Sequence, residues 1–104
     1  MPFLQVFTNV SSTKITDELL LHLTDVLAKA LSKPKEYMAV QVSGDQRMAF
    51  GGTLEPTAQV KLSSIGRLGL EENKVLSALI ADELERELGI APKRAYIEFV
   101  NVTF

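Results

Sequence analysis

The chain has 104 residues, 46% hydrophobic and 23% charged, with a net charge of −2 at neutral pH. That suits one domain with one core over residues 1–104, and it lacks the basic excess of a nucleic-acid binder. With no cysteine and one histidine, His22, the chain has no disulfide framework, thiol nucleophile or histidine-cluster metal site. No apolar run approaches the roughly 18 residues of a membrane span. The first residues lack the basic start and apolar core of a signal peptide. A soluble cytoplasmic protein is expected, although secretion by a non-classical route would leave no mark in sequence.

Met1-Pro2 opens the chain, and Phe3 to Thr8 reads as a strand that would hold Pro2 still. Small second residues allow removal of the initiator methionine, which would leave Pro2 with a free secondary amine. Free α-amino groups titrate near ~7.7–8.0, and an apolar pocket lowers that value by disfavouring the charged form. Such a nitrogen is a general base at neutral pH. At this point a plainer reading stands beside it: Pro2 starts a strand where proline is tolerated.

Asn9 to Ser12 breaks the strand. Thr16 then offers an N-cap oxygen, followed by Asp17 and Glu18 in the first helical turn. Leu19, Leu20, Leu23, Val26, Leu27, Ala30 and Leu31 recur at helical spacing. Asp25 and Lys29 are placed to pair in solvent, and His22 falls off the stripe's centre as a surface residue. Pro34 stops the helix and leaves Lys33 at its C-terminus. Tyr37 to Ser43 reads as a second strand, apolar enough to be covered on both faces. Gly44-Asp45, Gly51-Gly52 and Glu55-Pro56 are breaks, and Ala58 to Ser64 is a third strand. Ser64-Ile65-Gly66-Arg67-Leu68-Gly69 is weakly like a phosphate loop, but it lacks a lysine-serine pair. A second helix runs from Leu70 or Glu71 to Leu88, with Leu76, Leu79, Ile80, Leu84 and Leu88 inward. Gly89 closes it and Ile90 packs back. Arg94 to Val102 is the last strand, with Tyr96, Glu98 and Val100 on one face and Ala95, Ile97 and Phe99 on the other.

Strand–helix–strand therefore occurs twice. The fold class is α/β (α+β): two βαβ repeats form a four-stranded sheet with both helices on one face. Leu4, Val6, Val40, Val42, Val60 and Leu62 are too many apolar side chains for such a sheet's open face to leave in water, so self-association is expected.

These residues resemble the macrophage migration inhibitory factor family of the tautomerase superfamily. The resemblance rests on Met1-Pro2 with Thr8-Asn9-Val10, and on Ser32-Lys33-Pro34 in place of Gly-Lys-Pro. It rests also on Asp45 to Thr53, Glu55-Pro56, Ser63-Ser64-Ile65-Gly66 and Arg94-Ala95-Tyr96-Ile97. It implies a homotrimer with a shared pocket and cofactor-free tautomerisation of phenylpyruvate-like keto acids, and often of dopachrome derivatives. Pro2 would be the base and Lys33 would hold the substrate carboxylate. Ile65, within Ser64-Ile65-Gly66, would line the pocket and offer backbone hydrogen bonds. Tyr96 would enter from the neighbouring subunit. On this footing Lys33→Ala should weaken substrate binding and leave stability within about 0.5 kcal/mol.

Three positions depart from the pattern. Thr57-Ala58-Gln59-Val60 replaces the Cys-x-x-Cys of many animal relatives, which removes thiol redox chemistry. Glu98 stands where many relatives carry a substrate-facing asparagine, and a carboxylate there would repel an anion. The sequence ends at Phe104, short of the tail that usually supplies a pocket aromatic. These departures suit an alternative, a trimeric binding or signalling protein with a vestigial pocket and a protein receptor. Intact Pro2, Lys33, Ile65 and Tyr96 suit the enzyme.

Overall fold

A computed structural model describes residues 2–102; readings that rest on Met1 and Phe104 lie outside them. Four strands form one sheet: β1 (Phe3–Thr8), β2 (Ala39–Ser43), β3 (Ala58–Ser64) and β4 (Ala95–Asn101). Their spatial order is β2-β1-β3-β4. β1 runs parallel to β2, β3 parallel to β4, and β1 antiparallel to β3. Each parallel pair is bridged by a helix, α1 (Asp17–Leu31) or α2 (Leu70–Leu88), as the two repeats require.

The sheet's alternation decides which face the helices cover. Leu4 lies between Val40 and Leu62, and Val6 between Val42 and Val60. All belong to, or pack against, the core that includes Leu19, Leu23, Leu27, Leu76, Ile80 and Leu84. Burying each such side chain contributes roughly 1.5–3 kcal/mol. The expectation that these six strand residues line an open apolar face is therefore overturned. The open face carries Phe3, Gln5 and Phe7 on β1, with Gln41, Gln59, Lys61, Tyr96 and Glu98 on the other three strands. Its middle row, Gln41–Gln5–Lys61–Glu98, is polar throughout. A one-residue change of parity moves a whole strand's side chains to the other face; Gln41 between Val40 and Val42, and Gln59 and Lys61 around Val60, display that parity in β2 and β3, whereas β1 is apolar on both faces.

The helix ends follow their local chemistry. Thr16 Oγ1 accepts from the Leu19 amide at 3.1 Å. At the other end of α1, Ser32 takes left-handed geometry (φ 53°), and Lys33 N–H reaches the Ala28 carbonyl at 3.1 Å. This is the closing turn that glycine usually provides. Gly89 (φ 69°) closes α2, and Ile90 behind it is fully buried.

Three details differ from the sequence reading. Lys35–Tyr37, just after Pro34, and Pro92–Arg94, which begins with its proline, are single 3-10 turns, so β2 starts at Ala39 and β4 at Ala95. β2 is an edge strand with Gln41 exposed, rather than a strand covered on both sides. Asp25 meets Lys35 at 3.8 Å, and an Asp25–Lys29 pair is absent among the described residues.

Candidate functional site

Pro2 sits just before β1 and is buried. Its carbonyl accepts from the Ala39 amide at 3.0 Å, which ties it to the start of β2. The antiparallel pairing Phe3↔Ser63, carried one step further, sets Pro2 beside Ser64 at the end of β3. Ser64 is fully buried. Its carbonyl accepts from Val102 N–H at 2.8 Å, which fastens the β4 end to β3.

Lys33 reaches the same place from α1. Its Nζ donates to the Ile65 carbonyl at 2.7 Å and to Ser64 Oγ at 3.3 Å. An ammonium group has three hydrogens, so one remains for an anion. One end of the sheet thus gathers Pro2, Lys33, Ser64 and Ile65. These residues lie far apart in the chain and meet because β1 and β3 are antiparallel while α1 returns to the start of β2.

Tyr96 and Glu98 are not part of this cluster within one chain. Tyr96 pairs with Gln59, five residues from Ser64, roughly 17 Å along the strand. It is 64% exposed, and Glu98 stands two residues on, opposite Lys61. Both face away from the helices, as the alternation predicted. A depression of about 440 Å³ between α1 and α2, lined by His22, Asp25, Val26, Lys29, Ala30 and Leu79, shares no residue with the Pro2 end.

Sequence reasoning missed two arrangements. Asn101 Oδ1 accepts from Gly66 N–H at 3.2 Å, directly behind Ile65. Its signal was slight: a polar residue ending a strand, in register with Ser64. His22 is exposed as expected, yet its Nε2 lies 2.8 Å from Glu83 Oε2. Glu83 is 5% exposed and also receives Arg86 Nη1 at 3.1 Å. Glu83 is three residues after Ile80, on the buried side of α2, so a charged partner from α1 was the thing to look for.

A sequence profile described as Macrophage migration inhibitory factor (MIF) matches residues 1–103. The chain belongs to the MIF family. It is 44% identical over 99 residues to the macrophage migration inhibitory factor of Xenopus tropicalis, covering 95% of this chain and 86% of that one. It is 37% identical over 102 residues to the Trichinella spiralis homologue, covering 98% and 90%. Among solved structures, the T. spiralis factor superposes with a TM-score of 0.93 at 36% identity, covering 97% of this chain and 89% of that one. The Prochlorococcus marinus homologue gives 0.92 at 32% identity, covering 96% and 88%. The MIF fold expected from the motifs is thus the fold observed. The Ser32 closing turn shows how this member presents its lysine with a serine in the usual glycine position.

Proposed function

We propose that this MIF-family protein is a cofactor-free keto–enol tautomerase of phenylpyruvate-like keto acids, with Pro2 as its base; dopachrome-type substrates fall within the same chemistry. The observation that carries the reading is the meeting of buried Pro2 with a lysine that keeps one free donor. Once Met1 is removed, the Pro2 nitrogen is a secondary amine in apolar surroundings, which favour its neutral form. It takes a proton from the carbon next to the keto group. The C–H electrons shift into a carbon–carbon double bond, the C=O π electrons move onto oxygen, and that oxygen takes the proton Pro2 has gained, which gives the enol and restores the neutral amine. The reverse sequence returns the ketone. Lys33 holds the substrate carboxylate, Ser64 and Ile65 shape the wall, and the Ile65 backbone offers hydrogen bonds to substrate.

The assembly that completes this site is a homotrimer in which a neighbouring subunit's Tyr96 closes the pocket. Exposed Tyr96, about 17 Å of strand away from its own chain's Ser64, supports that placement. Glu98, also on the open face, would come near the pocket with it and disfavour multiply charged anions.

The test compares two preparations on phenylpyruvate, each checked by intact mass. Protein without Met1 should turn it over. Protein that retains Met1, whose Pro2 nitrogen is an amide, should lose nearly all activity and keep its oligomeric state. Equal rates would remove proline catalysis and leave the binding-protein reading.

A further inference from the structure

We infer that Asn101 is a positioning residue for Lys33, acting through the single peptide bond between Ile65 and Gly66. This rests on the reading of Lys33 as the substrate-carboxylate cation. That peptide unit is held from both sides. Its carbonyl, on Ile65, accepts from Lys33 Nζ at 2.7 Å. Its N–H, on Gly66, donates to Asn101 Oδ1 at 3.2 Å. A peptide unit is planar and trans, so its C=O and N–H point in opposite directions and turn together. Rotation of this plane away from Asn101 therefore also takes the acceptor away from Lys33.

The plane needs such a hold. Gly66 (φ 74°) and Arg67 (φ 64°) are both left-handed, and the segment between β3 and α2 follows no ladder. Glycine at 66 makes that peptide easy to rotate, because no Cβ resists it. Asn101, the last residue of β4, is itself placed by the pairing Ser64↔Asn101 and by the Val102–Ser64 hydrogen bond. The β4 end thus sets the angle of one carbonyl, and that carbonyl sets the ammonium. Hydrogen bonds in such a chain also polarise one another, so the Ile65 oxygen is a better acceptor while Asn101 holds Gly66.

Two measurements test this. In the first, phenylpyruvate and its methyl ester are compared in Asn101 variants. Asn101→Ala should raise KM for the acid about fivefold, the worth of one hydrogen bond, with kcat and the ester's KM little changed. Asn101→Asp keeps an acceptor for Gly66 and should restore the acid's KM. Adding Asn101→Ala to Lys33→Ala should have no further effect on KM. An equal rise for acid and ester, or fully multiplicative effects in the double variant, would overturn the proposal. In the second, amide hydrogen exchange at Gly66 is followed by NMR and needs no turnover. Lys33→Ala should speed that exchange, although Lys33 does not touch the Gly66 N–H; an unchanged rate refutes the coupling. If the wild type turns over no keto acid, the tautomerase reading fails while the exchange measurement still judges the coupling.

Discussion

Replacing Lys33 by alanine is expected to affect both stability and binding, contrary to the sequence expectation of binding alone. The ammonium donates to the Ile65 carbonyl at 2.7 Å and to Ser64 Oγ at 3.3 Å. A hydrogen bond from a charged donor contributes roughly 1.5–3 kcal/mol when protected from water. Lys33 is only half-buried, and the Ser64 bond is long, so the lower end applies. Ser64 is fully buried and would lose a donor, which adds to the cost. The sum is about 1.5–2.5 kcal/mol, or roughly 6–20 °C in Tm for a domain of this size. Thermal unfolding by circular dichroism at fixed protein concentration would measure it, because an oligomer's Tm depends on concentration. In parallel, KM for phenylpyruvate should rise about tenfold or more while KM for its methyl ester stays level. An unchanged Tm would mean that the lysine's bonds to β3 hold nothing together. Equal changes for acid and ester would mean that its charge does not read the carboxylate.

Ser32→Gly should stabilise the protein. Relief of the left-handed strain gains about 1–2 kcal/mol and the glycine's extra entropy costs about 0.5–1 kcal/mol, so Tm should rise a few degrees; a fall would show that Ser32 does more than turn the chain. Glu83→Ala should cost about 1–2 kcal/mol rather than the 3–5 kcal/mol of a fully buried broken pair, because His22 (46% exposed) and Arg86 (57% exposed) can return to water; denaturant unfolding decides between these ranges. The tautomerase rate of processed protein should rise with pH and level off, since the unprotonated Pro2 nitrogen is the active form, with a midpoint below the free α-amino range of about 7.7–8.0. A midpoint above that range would show that the proline is not in an apolar site. Sedimentation at micromolar concentration should give a trimer, and a stable monomer there would remove the shared pocket.

The order of strands and helices was legible in the chain because each follows from local physics. Thr16 caps, Gly89 closes, Leu19 to Leu31 recur at helical spacing, and β4 alternates. Family motifs also marked Pro2, Lys33, Ser64 and Ile65, which the fold brings to one end of the sheet. Only the tertiary structure decided which face of β1 is covered: Phe3 and Phe7 are as apolar as Leu4 and Val6, and only the pairing of Leu4 with Leu62 and Val6 with Val60 shows which set lies under the helices. The roles of Glu83 and Asn101 likewise waited for the fold. Each depends on one partner distant in sequence, His22 for the first and Gly66 for the second. Periodicity reports which side chains leave water, but a hydrogen bond between distant residues leaves no period. It exists only once β1, β3 and β4 are in register and α1 lies against α2.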